Sequence, residues 1–205
     1  MTVSVLPHGA GLHDVLAEAE ALNMPLRVIS GSAGGRRLKN APEGVRPTSD
    51  LVRGAMYDTL ESQNADFSRV LDLYAGSGAL GIEALSRGAT WCDFVDRSAA
   101  SCDVIRENLS ITKLADKARV WRMMAERAAQ KLKGPYSLVF ADPPYNDDEA
   151  ARVIKELGKS TLIGGGTTLV LEHATRREPA EAIGPLYRVW SRRYGDTHVT
   201  IYRGM

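Results

Sequence analysis

The sequence predicts an α/β protein: a doubly wound, mostly parallel sheet that closes on an antiparallel hairpin, preceded by a small β-hairpin and helix. Three observations predict it. From Arg69 onward, apolar strand-like runs alternate with helical segments. The first of these runs passes into a turn of small residues, Ala75-Gly76-Ser77-Gly78, which opens a helix. Near the C-terminus two strand-like runs flank Tyr194-Gly195-Asp196-Thr197, a hairpin signal.

At 205 residues the chain suffices for one well-buried domain with a small appendage. A formal net charge of +1 excludes a purely electrostatic nucleic-acid binder. The charge is uneven, however. Arg27, Arg36, Arg37, Lys39, Arg46 and Arg53 face only Glu43 and Asp50, and Arg188, Arg192, Arg193 and Arg203 face Asp196. Two basic ends around a neutral middle suit a polyanion held at the edges of a site, or a merely solvated surface. Cys92 and Cys102 lack metal-ligand spacing and read as reduced thiols, which implies a cytoplasmic protein. No apolar run approaches the roughly 20 residues that cross a bilayer. The N-terminus carries His8, His13, Asp14 and Glu18 where a signal peptide needs an apolar core.

Residues 1–25 read as a leader outside the fold, since Met24 directly precedes the coherent pattern. Residues 26–62 form the N-terminal extension, and residues 63–205 the main domain. Residues 26–30 are a strand, Gly31-Ser32-Ala33-Gly34-Gly35 a turn, and Arg36-Arg37-Leu38-Lys39 the return, which places guanidinium groups at the tip of a hairpin. Thr48 or Ser49 caps a helix from Asp50 to about Leu60, with Leu51, Ala55, Met56 and Tyr57 as apolar contacts. Strand 69–74 leads to helix 79–88, strand 91–96 to helix 98–112, and strand 118–122 to helix 125–133. Strand 136–141 leads through Asp142-Pro143-Pro144-Tyr145 to helix 148–158, and strand 167–172 follows. Strands 186–193 and 198–203 close the chain.

In such a sheet, ligands sit beyond the carboxyl ends of the strands. Gly76-x-Gly78-x-x-Gly81 lets backbone amides approach a ligand, and its spacing alone fits nicotinamide and nucleoside cofactors alike. Asp72 decides against a pyrophosphate, because a carboxylate at the strand end favours a cationic ligand. Asp96 follows the turn by about 20 residues, the interval at which an acid binds ribose hydroxyls, although it could instead cap the next helix. Asp142-Pro143-Pro144-Tyr145 is a stiff loop whose prolines donate nothing. Its carbonyls and the Asp142 carboxylate are therefore acceptors for a planar amine, and Tyr145 offers a ring on which a base stacks.

Asp72-Leu73-Tyr74-Ala75-Gly76-Ser77-Gly78 resembles the first motif of S-adenosylmethionine (SAM) methyltransferases, and Asp142–Tyr145 resembles the amino-methyltransferase signature. The segments Arg27–Gly31, Gly35–Leu38, Arg46-Pro47-Thr48-Ser49-Asp50-Leu51-Val52-Arg53 and Tyr194–Thr197 complete one pattern from about residue 26 to the end. With them the chain is similar to the bacterial 16S ribosomal RNA guanine-N(2)-methyltransferase family. The resemblance implies a Rossmann-like fold of the class I methyltransferase type. It implies SAM as methyl donor with S-adenosylhomocysteine as product, no metal, and 16S rRNA, within a small-subunit particle, as partner of a monomer. Asp72, Tyr74, Ala75, Gly76, Ser77, Gly78, Asp96, Arg97, Met124, Ala125 and Asp142 would then hold the cofactor. Asp142, Pro143, Pro144 and Tyr145 would hold the guanine, and Arg36, Arg37, Lys39, Arg46, Thr48 and Arg53 would grip RNA.

Two departures from the family pattern stand out. Gly54 replaces the usual Glu after Arg53, and Met123-Met124-Ala125 replaces an Asp or Asn that meets the adenine amine. Other readings stay open: a DNA adenine or cytosine amino-methyltransferase, a nicotinamide oxidoreductase, or a non-catalytic RNA assembly factor.

Overall fold

A computed structural model describes residues 26–42, 49–143, 147–174, 179–195 and 197–204. Ser49 accepts a hydrogen bond from the Val52 amide and so caps the first helix, α1 (Asp50–Ser62). The alternation follows as β1 (Arg69–Leu73), α2 (Ala79–Ser86), β2 (Trp91–Asp96), α3 (Ala99–Thr112), β3 (Ala118–Arg122), α4 (Ala125–Lys131), β4 (Leu138–Ala141), α5 (Asp147–Lys159) and β5 (Thr168–Ala174). The chain closes with β6 (Ala182–Ile183), β7 (Leu186–Tyr194) and β8 (Thr197–Arg203). The sequence pattern ran helices on to 88 and 133, whereas α2 and α4 stop at Ser86 and Lys131. It also missed β6, whose two residues are too few to leave an alternation.

The eight strands form one sheet in the order β3-β2-β1-β4-β5-β8-β7-β6. Pairing is parallel from β3 to β5, and β8 joins β5 antiparallel. Strand order reverses between β1 and β4, which opens a crevice at their carboxyl ends. Both faces of the inner parallel strands are covered, hence their largely apolar runs, whereas β3 at the edge stays partly exposed. One face packs Val70, Phe94 and Phe140 against Met56, Tyr57 and Leu60 of α1, Ile82 of α2 and Ile105 of α3. The other packs Leu71, Val95 and Val139 against Ala128 of α4 and Leu157 of α5. On that second face lies a buried carboxylate, Asp93. It accepts from Trp121 Nε1 at 2.7 Å, Tyr136 Oη at 2.9 Å and Trp91 Nε1 at 3.0 Å.

The N-terminal extension differs from expectation in two respects. Residues 26–38 make the expected antiparallel hairpin, but it pairs only at its open end: Arg27 stands opposite Arg37, Val28 N donates to Arg36 O and Leu38 N to Leu26 O. Its turn is held by α2 instead. Glu83 of α2 accepts from the amides of Ile29 (2.7 Å) and Ser30 (3.0 Å), and Ser86 Oγ accepts from Ala33 (2.9 Å). These side chains satisfy the amides of the turn and anchor it to α2. Arg36 and Arg37 consequently lie on the return limb and not at the tip. Leu51 is also corrected: it is 79 % exposed, out of phase with the buried stripe Arg53, Met56, Tyr57 and Leu60. No helix among the described residues is long and apolar enough to cross a membrane.

Candidate active site

The site begins where β1 ends. Tyr74, Gly76 and Gly78 adopt φ of 62°, 55° and 78°, so the chain turns sharply through left-handed backbone. Gly78 is the N-cap of α2, and a Cβ at Gly81 would stand 2.4 Å from Phe94 Cε1. The third glycine therefore serves close packing of helix on sheet. Two acids hold the turn. Asp96 Oδ2 accepts from the Gly76 amide at 2.9 Å, and Asp72 Oδ2 accepts from the Gly81 amide at 2.9 Å.

Asp72 is fully enclosed. Burial pushes its carboxyl up to about 7; the Gly81 amide opposes that shift, and the Asp96 charge adds to it. Its stability term has a definite sign. The folded protein binds this proton more tightly than the unfolded chain does, so the contribution is full at acid pH and is lost as pH rises through about 7. In Asp72→Asn, the part of the melting temperature that declines between pH 5 and pH 8 should shrink, as a pH series of thermal melts of both proteins will report.

Asp96 is only partly buried. Its Oδ1 accepts from the Ser98 amide at 2.8 Å, while Ser98 itself caps α3 by accepting from Ser101. Each Asp96 oxygen keeps a second lone pair, so ribose hydroxyls can still donate to it. Arg97 beside it is exposed. On the same rim Met124, 52 % exposed, is the N-cap of α4 and lends no side-chain cap, and Ala125 behind it is buried.

Asp142 stands one residue beyond Ala141, which pairs with Leu73 across the switch point. Burial raises its carboxyl well above the usual range, and the charges of Glu172 and Asp72 raise it further. Three carboxyl groups thus converge at the ends of β1, β4 and β5. Glu172, buried on β5, was absent from the sequence reading. Its signal was available: an acid ending the apolar run 169–171, as Asp72 and Asp96 end theirs. Pro143 is buried, and Pro144 and Tyr145 lie outside the described residues.

The basic residues divide. Arg37 is exposed, Arg36 donates to Ile111 O at 2.6 Å, and Lys39 pairs with Glu107 at 2.7 Å. Arg46 and Thr48 lie outside the described residues. Arg53 corrects the sequence reading, because its guanidinium is fully buried and donates to Arg27 O and to Asp50 Oδ1 (2.8 Å). It braces the limb against α1 and presents nothing to a polyanion. Asp50 also meets Arg27 at 3.4 Å. At the other end Arg188 pairs with Glu181, and Arg203 binds Thr168 Oγ1 and Gln63 O. Arg192 and Arg193 stay exposed at the β7–β8 hairpin, on the edge of the sheet that bears the site.

Residues 26–203 match the model of a family described as "Conserved hypothetical protein 95". "Putative rRNA methyltransferase YlbH" of Bacillus subtilis (strain 168) is 38 % identical over 182 residues, which are 87 % of this chain and 98 % of that protein. "Ribosomal RNA small subunit methyltransferase D" of Escherichia coli (strain K12) is 38 % identical over 122 residues, 58 % of this chain and 60 % of that one. The solved structure "Putative methyltransferase yhhF from Escherichia coli" aligns with a TM-score of 0.78 at 28 % identity, over 88 % of this chain and 99 % of its own.

Proposed function

This chain belongs to the "Conserved hypothetical protein 95" family, and on that premise we propose that it methylates ribosomal RNA, transferring a methyl group from SAM to the exocyclic N2 of a guanine in the small subunit. The observation that carries this reading is that Asp96 and Asp72 hold the glycine turn and the helix start behind it, with Asp142 beside Asp72 at the switch point of the sheet. The residues fit the cofactor. A buried carboxyl held near neutrality, as Asp72 is, gains a partner from a cationic ligand. Asp96 has lone pairs for both ribose hydroxyls, and the left-handed turn admits close approach of a nucleoside. Met124 and the backbone at Ala125 would flank the adenine.

Bound there, SAM supplies an electrophilic methyl group on a sulfonium. The chain's own residues do the rest. Asp142 and the backbone carbonyls of its loop accept hydrogen bonds from the target amine and hold its nitrogen in line. An exocyclic amine conjugated to a base is a poor nucleophile, and acceptors on its N–H groups favour the pyramidal nitrogen that attacks. The Tyr145 ring stacks on the base. The new C–N bond would form as the methyl C–S bond breaks, leaving the neutral thioether S-adenosylhomocysteine; the nitrogen then carries the positive charge and releases its proton to solvent, so no base need act first. Arg37, Lys39 and Arg46 would contact RNA phosphates on one side, within a small-subunit particle.

Two measurements test the reading. S-adenosylhomocysteine at a hundred times its Kd should stabilise the native state by about 2.7 kcal/mol, whereas NAD and NADP should leave the melting temperature unchanged. Labelled methyl transfer to unmodified rRNA, small-subunit particles and DNA, followed by nucleoside analysis, should yield N2-methylguanine from RNA or particles. Equal stabilisation by NAD, or label found in DNA adenine or cytosine, would refute it.

A further inference from the structure

We propose that Asn108 is a positioning residue that ties the RNA-binding limb to the cofactor turn, so that filling either site tightens the other. The inference rests on the function proposed above. Asn108 lies on α3 and is fully buried. Its Nδ2 donates to Ser77 O in the glycine turn and to Lys39 O in the limb, each at 2.9 Å. Its Oδ1 accepts from the Lys39 amide at 2.7 Å.

A single primary amide therefore satisfies three backbone groups from two segments remote in sequence. Among side chains of this size only the carboxamide both donates twice and accepts. A substitute lacking the donors leaves the buried Ser77 carbonyl without its Asn108 partner, which is costly. The far end of the limb is anchored elsewhere, on Glu83 and Ser86, so Asn108 acts at the end nearest the site. A ligand that fixes the carbonyl of Ser77 fixes the amide that orders Lys39, and phosphate held at the limb acts back through the same bonds. Such coupling is reciprocal by thermodynamic necessity.

The experiment measures Kd of the full chain for unmodified small-subunit rRNA, with and without saturating S-adenosylhomocysteine, after confirming that the latter binds. In the wild type the nucleoside should tighten RNA binding about fivefold or more. In Asn108→Asp, an isostere that keeps the acceptor and loses both donors, the ratio should fall to about one, as it should in Asn108→Ala. Lys39→Ala should bind RNA more weakly yet keep the wild-type ratio, because its backbone bonds to Asn108 survive. A merely structural asparagine would lower melting temperature or affinity without changing that ratio. A wild-type ratio of one, or a wild-type ratio preserved in Asn108→Asp, overturns the proposal and leaves the function standing. Failure of the wild type to bind S-adenosylhomocysteine overturns the function, and this proposal with it.

Discussion

Asp142→Ala is expected to abolish methyl transfer while the fold and the bound cofactor survive. Asp142 sits just past the end of β4, beside Glu172 and Asp72, outside the strand ladders of the sheet. Its proposed work is to accept a hydrogen bond from an amine whose nitrogen becomes pyramidal only on the way to the transition state. A preorganised group of this kind is worth roughly 10²–10³ in rate, and the loss should fall on kcat more than on KM. Single-turnover kinetics with labelled SAM will measure it, alongside melting curves with and without S-adenosylhomocysteine. The pH dependence has a definite sign. The working form is the carboxylate, and burial with two neighbouring acids raises its proton affinity. Turnover should therefore decline on acidification at a pH above the ordinary carboxylate range, and Asp142→Asn should remove that limb. Near-normal turnover by Asp142→Ala would make the loop a structural feature and end the proposed mechanism.

The second large effect concerns stability. Asp93→Ala is expected to destabilise the protein by about 3–5 kcal/mol, a change to be read from the denaturant midpoint at constant slope. Two indole N–H groups and a phenol converge on this one buried carboxylate. Truncation would strand all three donors and leave a void on the face that packs α4 and α5. Burial and then the Asp93 charge push the Tyr136 hydroxyl upward, so it remains a donor across the working range. Asp93→Asn keeps the shape and one acceptor but turns an N–H toward other donors, and should recover only part of the loss. A change below about 1 kcal/mol in Asp93→Ala would mean that water or neighbouring groups replace the carboxylate.

Local pattern determined a great deal here. The inner parallel strands could be read because, buried on both faces, they must be largely apolar, and the switch to a hairpin at the end because Gly195 permits a tight reversal. The glycine turn, Asp72, Asp96 and Asp142 could be placed at one edge of the sheet, since alternation of strand and helix sends every parallel carboxyl end to the same side. The fold, that of the class I methyltransferases, was legible for this reason.

Contacts between distant segments were not legible. Arg53 looked like a phosphate ligand in a basic stretch, yet helical phase places it on the buried stripe of α1, where Arg27 O and Asp50 absorb it. The hairpin of residues 26–38 could be read, but not that Glu83 and Ser86 of α2 take the amides of its turn. Asp93 and Asn108, in a strand and a helix, carry no mark in the sequence pattern. Each owes its role to partners brought together from several elements: Trp91, Trp121 and Tyr136 in one case, Lys39 and Ser77 in the other. Periodicity along a chain records which face a residue takes. Which hydrogen-bonding group waits on the opposing element is decided only when the elements pack, because a buried polar atom must find its partner there or go without.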